Sequence, residues 1–161
     1  MKARNPKLLS LDQAVKARRR LRRLGRKLVL TNGVFDLLHP GHRHYLRHAG
    51  RRGGAVFVAL NSNRSVKLLK GPDRPVEGER LRARHLARLP EVKGIVIFRT
   101  KRLTRQILAL QPDVYVKAGD YTLAKLDPGE RAALEKVGAQ IEFMPFLPGH
   151  STTKLIAKMK G

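Results

Sequence analysis

After Gly25 the chain alternates short β-rich runs with stretches of helical spacing, and that alternation leaves few folds open. The strand-like runs are 27–31, 55–60, 94–98, 113–117 and 140–143. Helical stretches lie at 40–51, 79–89, 103–110 and 128–137, with a last one at 151–160. Parallel neighbours need a long crossover, and a helix supplies it. The pattern predicts an α/β fold, a Rossmann-like doubly wound five-stranded parallel sheet with helices on both faces. Ligands of such sheets sit beyond the carboxyl ends of the strands, where the strand order reverses. Gly71, Pro72, Pro75 and Gly78, and again Pro145, Pro148 and Gly149, predict two mobile loops. Ahead of the core, Ser10 and Gln13 form a capping box, and Leu11, Ala14, Val15, Leu21 and Leu24 recur at helical spacing. The chain reads as one domain over 1–161, with a basic N-terminal helix in 1–26 and an α/β core in 27–161.

Charge narrows the partners. Against 35 Lys plus Arg stand 12 Asp plus Glu, a net +23 that repels itself unless polyanions are near. Nucleotides, sugar phosphates and nucleic acid all fit. Arg18, Arg19, Arg20, Arg22 and Arg23 are a possible nucleic-acid footprint, but a charge run is more often a solvated face. With 5% aromatic residues and no Trp, nucleic acid is the lesser partner. The chain has no cysteine, which excludes a disulfide scaffold, a thiolate metal site and a cysteine nucleophile. Its apolar runs fall far short of the roughly 20 residues that span a bilayer, and no apolar stretch follows the basic N-terminus as a secretory signal would require. The expectation is a cytoplasmic protein without a membrane partner.

The first strand runs into Thr31-Asn32-Gly33-Val34-Phe35-Asp36-Leu37-Leu38-His39-Pro40-Gly41-His42, which holds neither a dinucleotide fingerprint nor a Walker loop. Gly33 lets backbone approach a ligand, and Pro40 suits the first turn of a helix whose amides would face an anion. His39 and His42, three apart at a helix start, present both rings to one side. They could stabilise charge on a transferring phosphoryl group. His44 and His48 are four apart in the same helix. With no cysteine and no nearby carboxylate beyond Asp36, they read as surface or packing residues and no metal site is assigned.

This stretch resembles the HxGH signature of the nucleotidyltransferase superfamily. Four further segments narrow the resemblance: Asn61 to Gly71, Arg74 to Val76, Val116 to Tyr121, and Pro148 to Thr153. In that order they resemble D-glycero-β-D-manno-heptose 1-phosphate adenylyltransferases, the nucleotidyltransferase half of the ADP-heptose synthase system, over residues 27–160. The sugar-kinase half of that system has no counterpart here, so the resemblance implies a stand-alone transferase served by a separate kinase. Glycerol-3-phosphate cytidylyltransferases carry Arg-Thr-x-Gly where this chain has Phe146-Leu147-Pro148-Gly149, which favours the heptose family. Other departures are Asn63 for an acidic residue, Ala118 for a second glycine, and Arg80-Leu81-Arg82 for Glu-x-Arg.

The resemblance implies transfer of AMP from ATP to heptose 1-phosphate, with Mg²⁺ entering on the nucleotide, in a homodimer. The alternatives are cytidylyl or adenylyl transfer to glycerol 3-phosphate or FMN, and a nucleic-acid-binding protein on the same fold. It implies catalytic roles for His39, His42 and Lys70. The nucleotide would be lined by Thr31, Asn32, Gly33, Phe35, Gly41, Asn61, Lys117, Gly119, Asp120, Ser151 and Thr152. Asp36, Lys67, Arg74 and Arg82 would meet the sugar phosphate. Phe35 reads equally as core, Asp120 as a turn cap and Ser151 and Thr152 as helix caps. Lys67 and Lys70 are expected on a loop.

Overall fold

The computed structural model describes residues 5–119 and 121–145. Among them the strands are β1 (Leu8–Leu9), β2 (Lys27–Gly33), β3 (Gly54–Asn61), β4 (Val92–Phe98), β5 (Val114–Ala118) and β6 (Gln140–Met144). The helices are α1 (Leu11–Arg23), α2 (Pro40–Gly50), α3 (Asn63–Lys70), α4 (Glu79–Ala87), α5 (Thr104–Leu110) and α6 (Pro128–Lys136). All strands are parallel, in the order β1-β4-β3-β2-β5-β6.

Alternation along the strands builds the two layers. Leu28 and Leu30 of β2 turn to one face and join Ala14 of α1, Ile107 and Leu110 of α5, and Ala133 and Leu134 of α6. Val29 turns to the other face, with Tyr45, Leu46 and Ala49 of α2 and Ala83 and Leu86 of α4. Each fully buried Leu, Ile or Val here is worth about 1.5–3 kcal/mol over exposure, so the alternation of side chains along β2 fixes which helix covers which face.

Two expectations are corrected. The sheet has six strands, not five: Leu8 and Leu9 pair with Ile95 and Val96, and the Ile95 amide donates to the Lys7 carbonyl at 2.8 Å. Two residues are too short for any alternation to show, and Ser10 ends the strand at once by capping α1, where it accepts from the Gln13 amide at 3.1 Å. Residues 63–70 form a helix rather than a loop. Ser62 caps it by accepting from the Ser65 amide at 3.0 Å, and Gly71 ends it at φ 97°, a conformation that suits glycine.

The arginine run is divided between core and solvent. Arg18 is 4% exposed, donates to the carbonyls of Leu110 at 3.2 Å and Gln111 at 2.8 Å, and pairs with Asp113 at 3.0 Å. It therefore docks α1 on the end of α5. Arg19, Arg20, Arg22 and Arg23 are exposed. No described helix is long and apolar enough to cross a membrane.

Candidate active site

β2 stands where the strand order reverses, with β3 on one side and β5 on the other. Its exit, residues 33–39, makes a tight path in which Phe35 and Leu37 both adopt positive φ, 50° and 51°. Gly33 begins this path because a β-carbon there would lie 3.0 Å from the Phe35 ring. Phe35 is 4% exposed, and its ring sits 5.2 Å from that of His42 and 6.3 Å from that of Tyr45. It belongs to the core and walls the site at once.

His39 caps α2. Its Nδ1 accepts from the Gly41 amide at 3.1 Å, while the His39 amide donates to Nδ1 of His42 at 3.3 Å. An Nδ1 that accepts carries no proton, so each neutral ring must hold its proton on Nε2. The rings stack with centroids 3.8 Å apart. Burial, and then the neighbouring His39, outweigh Asp36 and push His42 down to about 3. His42 is thus a neutral donor at ordinary pH, suited to an anion through its Nε2–H, since the first amides of α2 are already capped by His39.

These rings open on a cavity of about 430 Å³ at the carboxyl ends of β2, β3 and β5. Asn32, Asn61 and Lys117 come from those strand ends, Lys70 from the last turn of α3, and Arg74 from the following loop. Tyr115 donates to the Asn32 carboxamide oxygen, and the Asn61 amide donates to Ser65 Oγ at 2.9 Å. Lys117 lies over the Tyr121 ring at 4.8 Å. Burial, with Lys70 and Arg102 beside it, lowers its pKa below the usual lysine value against the opposing pull of Glu130. Lys101 and Arg102 also line the cavity. Such a space, rimmed by cations and neutral imidazole donors, can hold a polyphosphate.

A family model described as cytidylyltransferase-like matches residues 30–158. The chain belongs to the cytidylyltransferase-like family. It is 42% identical over 151 residues to the bifunctional protein HldE of Hyphomonas neptunium, covering 94% of this chain and 31% of that protein. It is 46% identical over 136 residues to the bifunctional protein HldE of Geotalea uraniireducens, covering 84% and 27%. The chain thus spans under a third of the curated relatives it matches. Its fold is similar to a crystal structure of the lipopolysaccharide core biosynthesis protein of Thermoplasma volcanium, with TM-score 0.62 and 24% identity over 76% of this chain and 98% of that one.

Two residues expected at the sugar phosphate, Asp36 and Arg82, are held by scaffold groups in this structure. The buried Asp36 carboxylate accepts from the amides of Val76 at 2.8 Å and Glu77 at 2.9 Å and pairs with Arg74 Nε at 3.3 Å. Arg82 is fully buried and donates to the carbonyls of Asn61 at 2.7 Å, Val34 at 2.9 Å and Glu77 at 2.9 Å, and to Asn63 Oδ1 at 3.0 Å. Both earn their burial by satisfying backbone groups of irregular segments, which a sequence cannot distinguish from substrate contact. Asn63, where the resembled family has an acidic residue, is tied to the start of α4, since the Asn63 backbone amide donates to Glu79 at 3.0 Å and the Glu79 backbone amide to Asn63 at 2.9 Å.

Thr31 is fully buried in β2, with no hydrogen bond to its hydroxyl among the described residues, and does not line the cavity. Lys67 is exposed on α3, off the cavity. Gly41 lines the cavity, and Gly119, at φ 112°, donates its amide to the Met144 carbonyl at 2.8 Å. Asp120, Ser151 and Thr152 lie outside the described residues. His44 is exposed, and His48 lies 3.9 Å from Glu142. Sequence reasoning missed Lys101 and Arg102, which carry no motif and enter the cavity through tertiary folding, and assigned no role to Tyr121, the last residue of the 116–121 segment.

Proposed function

We propose that the chain transfers AMP from ATP to heptose 1-phosphate, yielding ADP-heptose and pyrophosphate. The observation that carries this reading is the stacked His39–His42 pair, each ring locked in the Nε2-protonated form at the start of α2, opening on a cation-rimmed cavity. A sugar 1-phosphate oxygen attacks the α-phosphorus of ATP in line. The new P–O bond forms as the bond to the bridging oxygen breaks, and pyrophosphate leaves. No covalent enzyme intermediate is needed. The imidazole N–H groups stabilise charge on the attacked phosphate, Arg74 and Lys117 neutralise neighbouring oxygens, and positioning supplies the rest of the rate.

The acceptor assignment is supported by the resemblance of the 61–71, 74–76 and 116–121 segments to heptose 1-phosphate adenylyltransferases and by the similarity to HldE proteins. Among the described residues no group of three or more His, Asp or Glu is placed to hold a metal, and Glu130 at the cavity already accepts from the Leu103 amide at 2.8 Å. Mg²⁺ therefore belongs to the proposal as an ion held by the nucleotide's phosphates and water, neutralising their charge. A homodimer, a cytoplasmic location and a kinase activity that supplies the sugar phosphate complete it.

The test is pyrophosphate release by the purified protein with Mg²⁺, crossing ATP and CTP with heptose 1-phosphate, glycerol 3-phosphate and FMN. Release with ATP and the heptose phosphate alone supports the reading. Release only with another pair replaces the substrate assignment, and silence in every combination overturns nucleotidyl transfer.

A further inference from the structure

The segment from β4 to α5, residues 99–103, is pinned along most of its length. Ser65 Oγ donates to the Thr100 carbonyl at 2.7 Å, and Thr100 Oγ1 donates to the Arg102 carbonyl at 2.7 Å. Leu103 is completely buried and gives its amide to Glu130 at 2.8 Å. Arg102 Nε lies 3.3 Å from Asp127, which also caps α6 by accepting from the Glu130 amide at 3.0 Å. Lys101 stands in the middle of this segment, is exposed, lines the cavity, and makes no ion pair among the described residues. A backbone so fixed presents its cations in one place, which lowers the ordering cost of the contacts they make.

Lys70 and Lys117 line the same cavity, and Lys117 is near enough to Lys70 and Arg102 for each to disfavour its charge. Glu130, the carboxylate that lines the cavity with them, is committed to the Leu103 amide. Like charges gathered around one cavity, where Asp127 offsets Arg102 and Glu130 is bonded to the Leu103 amide, are stabilised by a multiply charged anion. The histidine pair does not account for them, since it uses a different element, the start of α2.

We propose that Lys101 and Arg102, together with Lys70 and Lys117, form a second phosphate subsite in the cavity, gripping a phosphate other than the one attacked. The inference rests on the nucleotidyl-transfer reading and deepens it. Two sources supply such a group: the β- and γ-phosphates of the nucleotide, which leave as pyrophosphate, and the phosphate of the acceptor.

The experiment titrates inorganic pyrophosphate alone into the full chain by calorimetry, and separately measures KM for ATP and for heptose 1-phosphate. It compares the unsubstituted protein with Lys101→Ala, Lys101→Glu and the remote Arg19→Ala. Lys101 is exposed and makes no ion pair among the described residues, so its variants are expected to fold, with circular dichroism as the check. Loss of one charge-assisted contact weakens binding by about tenfold or more. Weaker pyrophosphate binding with a raised KM for ATP places the leaving phosphates here. A raised KM for the sugar phosphate alone places the acceptor here. Pyrophosphate affinity and both KM values unchanged in Lys101→Glu overturn the subsite. Because the titration needs no turnover, a chain that binds pyrophosphate through Lys101 but transfers nothing to heptose 1-phosphate would refute the acceptor reading and leave the subsite standing.

Discussion

Replacing Arg82 by methionine tests whether the site is built on a buried guanidinium. Arg82 is 0% exposed and satisfies acceptors in the β2–α2 loop, the end of β3, the start of α3 and the 71–78 loop, at 2.7–3.0 Å. Methionine keeps the length and leaves the Asn61, Val34 and Glu77 carbonyls without the guanidinium, while Asn63 Oδ1 keeps the Glu79 amide. An unsatisfied buried group costs about 1–3 kcal/mol, and neighbouring losses do not add fully, so the expected loss is about 3–5 kcal/mol. A domain of this kind has roughly 5–15 kcal/mol in total. With a urea slope of about 2 kcal/mol per molar, the unfolding midpoint falls by about 2 M. Arg82→Lys keeps the charge but lacks the planar fork, and is expected between the two. The assay is urea unfolding by circular dichroism, with ATP KM measured on the folded protein. Were Arg82 a substrate contact, both variants would lose activity while the midpoint moved by less than about 0.3 M, and that result would refute the scaffold assignment.

His39→Ala and His42→Ala should each lower kcat by about 10²–10³-fold, the cost of removing one positioned donor, and near-normal turnover in both would remove the pair from the mechanism. His39→Ala should also cost about 1 kcal/mol through the lost α2 cap, visible in thermal unfolding. Because His42 sits at about 3 in the fold against an ordinary 6.5, the unfolded chain binds a proton between those values that the folded chain refuses. Stability is therefore full above about pH 6.5 and declines as pH falls toward 3, and His42→Asn should flatten that decline in a Tm-against-pH series. Arg18→Ala should destabilise by about 2–4 kcal/mol, whereas joint Gln substitution of Arg19, Arg20 and Arg23 should leave stability within about 0.5 kcal/mol and pyrophosphate release unchanged. A loss of turnover in that triple variant would tie α1 to catalysis.

Residues whose role is set by neighbours in sequence were legible, and those whose role is set by distant neighbours were not. The β2, β3, β4, β5 and β6 runs show themselves through β-rich composition, and His39, Pro40 and His42 through spacing around a helix start. β1 escaped because two leucines carry no period. α3 escaped because Lys67, Leu68, Leu69 and Lys70 are all exposed, so its buried side is reduced to Ser65 and Val66; Ser62 and Gly71, its cap and stop, were the readable signals. Asp36 and Arg82 have the chemistry of phosphate and sugar ligands, yet the fold uses them on backbone amides and carbonyls. Arg18 shows the same ambiguity inside a run of five arginines. Lys101 and Arg102 could not be singled out among 35 basic residues until β4 delivered them to the cavity.

The most direct test of the central claim is to follow ATP labelled at the α-phosphorus with heptose 1-phosphate and Mg²⁺, separating the products by chromatography. Label in a nucleotide-sugar, equimolar with released pyrophosphate, none on the protein, and formed about 10²–10³-fold more slowly in His42→Ala is the predicted result. Label that stays in ATP, or that becomes attached to the protein, would contradict direct adenylyl transfer at the His39–His42 site.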